Sequence, residues 1–180
     1  MDRGRRVYII GFMGSGKSTA GRKLAASLGW QFKDLDQEIE LIAGKSIRDL
    51  FSTSGEHYFR DLEAQTLTGL KPATDTVISA GGGTPCYGRN MDFMMETGVV
   101  VYLKMSPAQL ISRLERGKAK RPLIKDLSSE ELLKYITEKL SEREKYYLKA
   151  HIVIDSFDLD IDTLCQKIDS IYKDQISSLS

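Results

Sequence analysis

Residues 11–19 read GFMGSGKST and follow directly on the apolar run VYII, residues 7–10. Gly11, Gly16, Lys17 and Ser18 fall in the spacing G-x-x-x-x-G-K-S, the pattern of a loop that cradles a polyphosphate. Each residue type has a physical reason. Gly11, Gly14 and Gly16 let the backbone bring its N–H groups close to phosphate oxygens. Lys17 can reach the β- and γ-phosphates, and the Ser18 hydroxyl can coordinate Mg²⁺. A helix starting near Lys17 would turn its positive end toward the same anion. The alternative, a chance glycine-rich turn, does not require the strand before it or the helix behind it. A nucleoside triphosphate is the expected ligand.

Four further groups could do chemistry. Asp34 and Asp36 flank Leu35 in DLD; if the strand runs through them, their side chains share a face. An Asp at that point could equally cap the next helix. Arg60 has Glu56 four residues before it and Glu63 three after it, all on one helical stripe. That is either a surface ion-pair ladder or a guanidinium fork, which suits a carboxylate bidentately. Three glycines follow an apolar run in AGGG, 80–83, where close approach to a ligand and tight backbone packing compete as explanations. The basic stretch RGKAKRPLIKDL contains Arg121 and reads either as a solvated loop or as a cover over an anion. His57 and His151 have no nucleophile partner or metal-ligand spacing. Met91, Met94 and Met95 read as helix packing.

The elements that must position these groups alternate. Short β-branched runs lie at 7–10, 31–36, 76–80, 99–103 and 151–155, and VVVYL is apolar on both faces, as a covered parallel strand requires. Helical periods are expected from Lys17 to Leu28 with Gly29 as stop, from about Gln37, after Ser46, after Gly55, from Pro107, from Ser129 to Leu148, and over DIDTLCQKIDSIYK. The expected fold is a three-layer α/β P-loop fold, with a central five-stranded parallel sheet, helices on both faces and a mobile lid. One domain over 1–180 is expected, with the acid and arginine groups at about 34–63 and the basic cover at about 115–128.

With 180 residues, 26 basic and 25 acidic side chains and a net charge of +1, the balance argues against a nucleic-acid scaffold or a membrane-surface protein. Cys86 and Cys165 lie far apart, which favours a reducing compartment, and a cytoplasmic location is expected. The N-terminal apolar run is too short for a signal-peptide core. Guanine reading is not expected, because N-K-x-D is missing.

Taken in order, GFMGSGKST, DLD, SIRDLF (46–51), GEHYFRDLE (55–63), ISAGGG (78–83), RPL (121–123) and REKYY (143–147) followed by HIVID resemble the shikimate kinases, P-loop small-molecule kinases of the nucleoside monophosphate kinase-like group. The resemblance spans nearly the whole chain. It implies transfer of the γ-phosphoryl of ATP to the 3-hydroxyl of shikimate with Mg²⁺ as cofactor, in aromatic amino-acid biosynthesis, by a protein that is commonly a monomer. It implies nucleotide contacts at Gly14, Ser15, Gly16, Lys17, Ser18, Thr19 and Arg121, and metal contacts at Ser18 and Asp34. Substrate contacts fall on Asp36, Arg60, Gly82, Gly83 and Arg143, with Lys17, Asp36 and Arg121 catalytic and Glu63 fixing the Arg60 rotamer. The family's R-x-P-x-Y departs here, with Lys145 for the proline and Tyr147 kept. Arg113 and Arg116 both stand near the base-stacking arginine, and SFDLD, 156–160, offers backbone or Phe157 in place of a further arginine. Two alternatives remain at this level: a gluconate-type sugar-acid kinase, and a shikimate-kinase-like protein that binds without catalysis.

Overall fold

The computed structural model describes residues 4–71, 74–116, 124 and 126–177. Its strands are β1 (Arg6–Ile10), β2 (Gln31–Asp34), β3 (Thr76–Ser79), β4 (Val99–Lys104) and β5 (Ile152–Asp155), all parallel, in the order β2-β3-β1-β4-β5. Tyr8 pairs with Ile78 on one side and Val100 on the other, so β1 is the sheet's centre. All five residues of β1 are buried, which explains why its run is apolar without alternation.

Successive side chains nevertheless go to opposite faces. Tyr8, Ile10, Ile78, Val100 and Tyr102 join one core. That core is covered by α2 (Leu35–Ala43), α3 (Ile47–Gly69), α4 (Asn90–Thr97), α5 (Pro107–Glu115) and α6 (Ser129–Tyr147). Val7, Ile9, Val77, Val99 and Val101 join the other, beneath α1 (Lys17–Leu28) and α7 (Ile161–Ser177). The result is the expected three-layer α/β arrangement. Fully buried side chains such as Leu24 and Ile39 each contribute about 1.5–3 kcal/mol by leaving water. Among the described residues, no helix is long and apolar enough to cross a membrane.

Helix ends follow local chemistry. The Ser46, Ser106 and Ser128 side chains accept from the amides of Asp49, Gln109 and Glu131, and the last two form complete capping boxes. Gly29 ends α1 in the left-handed region. Gly55, with φ 81° and ψ 172°, kinks α3 where a second helix start was expected; the chain resumes helical geometry immediately and the two pieces read as one. One expectation is corrected. The second strand stops at Asp34 rather than Asp36, so the two aspartates do not share a strand face. Asp34 accepts from the Asp36 amide and starts α2 two residues before Gln37.

Candidate active site

Every loop that matters leaves the carboxyl end of a strand, where ligands bind in open α/β sheets. After β1 the chain turns through Gly14 and Gly16 into α1. Gly16 is its N-cap with φ 89°, a left-handed conformation costly for a side-chain-bearing residue. α1 starts at Lys17, so its first-turn amides, lacking intrahelical acceptors, open onto the loop. The Lys17 ammonium donates to the Phe12 carbonyl at 3.1 Å, which keeps it folded over the loop. Ser15 is fully buried; its carbonyl accepts from Arg113 Nη1 at 3.2 Å and from Ser156 Oγ at 2.8 Å.

Asp34 bonds in two directions. One carboxylate oxygen holds the Asp36 amide, and the other accepts from Ser18 Oγ at 2.6 Å. Because Ser18 donates its proton to Asp34, its oxygen accepts from the Ser79 hydroxyl at 3.3 Å and keeps one lone pair to face a cation. One hydroxyl and one carboxylate suit Mg²⁺, which keeps several waters and binds mainly through substrate phosphates. Among the described residues no group of three or more His, Cys, Asp or Glu side chains could cage a metal.

Next to the loop lies a cavity of about 140 Å³. Asp36, Arg60, Gly82 and Arg143 converge on it from four separate elements, Met13 of the phosphate loop forms one side, and Phe51 and Phe59 supply apolar wall. The two phenyl rings pack with centroids 4.6 Å apart. Burial, then the charge of Asp34, pushes the Asp36 carboxyl up to about 6, against the pull of Lys17. Arg60 bonds Glu63 Oε2 through Nη1 at 2.7 Å and Glu56 through Nη2 at 3.4 Å. Burial opposes its charge, but the charges and hydrogen bonds of those two glutamates outweigh it, and its pKa stands above the ordinary value. The ladder runs from the surface inward: Glu56 is exposed, while Glu63 is fully buried. Arg143 leans on the Phe12 ring, 5.4 Å from its centroid. One turn further on, the Tyr147 hydroxyl donates to the Gly82 carbonyl, tying the end of α6 to the glycine loop. α6 runs on through Lys145 to Tyr147, where a proline at 145 would have disturbed it.

Crowding differs among the three glycines. A methyl on Gly83 would lie 2.5–2.7 Å from the Arg60 guanidinium, and one on Gly81 would lie 2.8 Å from Glu63 Oε1 and 2.9 Å from Thr84 Oγ1. At Gly82 the nearest atoms would be 3.3–3.5 Å away. Gly81 and Gly83 are thus small to admit the protein's own polar groups. Gly82 is the least crowded of the three, but a methyl there would still stand 3.3 Å from the Met13 amide nitrogen, inside ordinary contact distance.

A separate cavity of about 360 Å³ adjoins the phosphate loop and is lined by Gly16, Thr19, Lys23, Arg113 and Ser156 among others. Arg113 lies over the Phe157 ring at 5.4 Å and enters this cavity, while Arg116 caps the exposed end of α5. Arg121 and most of the basic stretch, 117–123 and 125, lie outside the described residues. The groups that residue patterns had not pointed to are Thr84 and Asn90 behind Glu63, and Ser156 behind Ser15. Their contacts span 6 to 141 residues, and no local spacing signals them.

A five-stranded parallel sheet in this order, with a glycine loop feeding the helix after its central strand and an acceptor-sized cavity alongside, defines a small P-loop phosphotransferase. The model of the shikimate kinase family matches residues 13–172. The shikimate kinase of Parabacteroides distasonis is 43% identical over 152 residues, covering 84% of this chain and 88% of that protein. That of Chlorobaculum parvum is 45% identical over 153 residues, covering 82% and 81%. Among solved structures, the Bacteroides thetaiotaomicron shikimate kinase superposes with a TM-score of 0.83 at 34% identity, covering 94% of this chain and 98% of that one. The Acinetobacter baumannii shikimate kinase in complex with shikimate gives 0.79 at 34% identity, covering 96% and 94%. The chain belongs to the shikimate kinase family.

Proposed function

We propose that this chain transfers the γ-phosphoryl of ATP to the 3-hydroxyl of shikimate, giving shikimate 3-phosphate and ADP. The observation that carries this reading is the cavity lined by the Asp36 carboxyl and by two guanidinium groups, Arg60 with its Glu63 partner and Arg143, immediately beside Met13 of the phosphate loop. The loop amides, Lys17, Ser18 and Thr19 hold the polyphosphate. Ser18 and Asp34 would hold Mg²⁺, which when bound supplies charge neutralisation to the phosphates. Arg60 and Arg143 pin the acceptor's carboxylate, and Phe51 and Phe59 bear on its ring. At the opposite end Asp36 accepts a hydrogen bond from the attacking hydroxyl. As the new O–P bond forms and the bond from the γ-phosphorus to the bridging oxygen of ADP breaks, Asp36 takes the hydroxyl proton. A carboxyl lifted to about 6 is better matched to that transfer near neutrality than an ordinary aspartate. Gly82 N–H faces the acceptor oxygens, and Arg121 closes over the phosphates from the lid. Arg113 and Phe157 flank the adenine.

The enzyme acts as a single-domain monomer in the cytoplasm; the two half-buried free thiols, Cys86 and Cys165, suit a reducing compartment. Nothing in the site favours the gluconate-type or the non-catalytic reading over this one. The test is product identity. Phosphorus NMR after incubation with Mg-ATP and shikimate should show a monoester signal coupled to the single ring proton at C3. A signal on another carbon, or inorganic phosphate alone, would reject the assignment.

Two substitutions probe the carboxylate grip. Arg60→Ala should raise the shikimate KM by about a hundredfold, as expected for a lost charge-assisted bidentate contact, while the ATP KM moves less than about threefold. Equal shifts in both would mean that Arg60 serves another ligand. Gly83→Ala places its methyl against the Arg60 guanidinium rather than against backbone. Displacing that group takes a donor from the buried Glu63, so the melting temperature should fall by about 4–8 °C, a loss of about 2 kcal/mol, and the shikimate KM should rise as in Arg60→Ala. A variant that unfolds without losing shikimate selectively would contradict this.

A further inference from the structure

Glu63 and Thr84 are both fully buried, and Asn90 is 3% exposed. A buried carboxylate is tolerable only when both oxygens are engaged. Glu63 Oε2 accepts from Arg60 Nη1, and Oε1 accepts from Thr84 Oγ1 at 2.5 Å. Thr84 is itself fastened on two more sides. Its carbonyl accepts from Asn90 Nδ2 at 3.0 Å, and its amide donates to the Gly81 carbonyl at 3.2 Å. The Gly81 Cα stands so close that a methyl there would meet both Glu63 Oε1 and Thr84 Oγ1. The Thr84 hydroxyl thus has one carboxylate oxygen to serve, and the surrounding atoms hold it there.

We infer that Thr84 is a positioning residue for recognition of the acid, an inference that rests on the reading of Arg60 as a carboxylate grip. Its hydroxyl holds Glu63 in the orientation that aims the Arg60 guanidinium into the cavity. The same bond joins the glycine loop to α3, so the two elements that face the acceptor keep their spacing. Without the hydroxyl, Oε1 is a buried acceptor with no donor, and Glu63 turns to find one, taking Arg60 with it. The phosphate loop shares none of these bonds, so the loss falls on the acid and not on the nucleotide.

The test compares Thr84→Val, which keeps the shape and deletes the hydroxyl, with Thr84→Ser, which keeps the hydroxyl. Thr84→Val should raise the shikimate KM by about tenfold, the scale of one buried hydrogen bond. Its ATP KM and turnover number should each change by less than about threefold, as uniform binding loss requires. Thr84→Ser should stay within about threefold of the parent in all three constants. Combined with Glu63→Gln, Thr84→Val should add little, because both act through one carboxylate. Thr84→Ala replaces Thr84→Val if the latter does not fold. An unchanged shikimate KM, a parallel rise in the ATP KM, a Thr84→Ser as damaged as Thr84→Val, or additive effects with Glu63→Gln would each overturn the inference. Arg60→Ala, measured alongside, separates the failures. If it too leaves the shikimate KM unchanged, the carboxylate grip is wrong; if it raises that KM and Thr84→Val does not, only the role of Thr84 is.

Discussion

Lys17→Ala lowers the turnover number by about a thousandfold or more, the range seen when a single preorganised charge on a transferred group is removed. The loop amides can still bind a triphosphate, so nucleotide affinity should fall less than turnover. What disappears is a cation that follows the charge as it shifts from the γ-phosphoryl toward the leaving ADP. The fold should survive. Lys17 opens α1 at the surface of the sheet, and its bond to the Phe12 carbonyl is local to the loop. The core beneath the same helix rests on Ala20, Leu24 and Ala25. Turnover is read by ADP release and folding by the melting temperature. Turnover within about tenfold of the parent would contradict the role given to Lys17.

Asp36→Asn should move activity and stability in opposite directions. Loss of a hydroxyl-orienting base costs about 10²–10⁴ in turnover. The stability effect follows from the raised pKa. The folded carboxyl, lifted from 3.8 to about 6, binds its proton more tightly than the same group in the unfolded chain. Between those values the folded protein carries more protons, so stability falls as pH rises through that window, and the full penalty is present above it. A shift of this size, discounted because Asp36 keeps some contact with water, corresponds to roughly 2 kcal/mol. Asparagine carries no charge to desolvate. In the metal-free, nucleotide-free protein, Asp36→Asn should therefore melt about 5 °C higher at pH 7. That advantage should shrink as pH falls from about 6 toward 4. A variant less stable than the parent at pH 7, or an advantage that grows on acidification, would mean that Asp36 is not strained by its surroundings.

The site was legible in the sequence wherever function is local. The phosphate loop is a matter of spacing over eight residues, and a strand before it with a helix behind it is what the backbone forms. Ser46 and Pro107 mark helix starts by the chemistry of orphan amides, and those starts stand where the caps put them. Asp34 and Asp36 were a harder case. Capping does not preclude a contact with the phosphate loop, because a carboxylate has two oxygens: Asp34 caps α2 with one and accepts from Ser18 with the other. The helix it caps is also what moves Asp36 off the strand. The AGGG segment leaves ligand approach and tight packing open, and sequence cannot say what crowds it: at Gly81 and Gly83 it is Glu63 and Arg60, brought in by α3, together with Thr84 of the turn that follows. Arg113 and Arg116 differ in angular position around α5, which spacing alone does not give, because both fall near the end where the helix stops. The bond from Thr84 to Glu63 crosses 21 residues and leaves no trace in either neighbourhood.

In the proposed reaction a triphosphate held by the loop after β1 reacts with an acid pinned by Arg60 and Arg143. Steady-state ADP release, measured with shikimate and with gluconate in parallel under Mg-ATP, tests it most directly. Release should saturate with shikimate and stay at the hydrolysis background with gluconate. Saturating release with gluconate, or background release with both acids, would contradict the account.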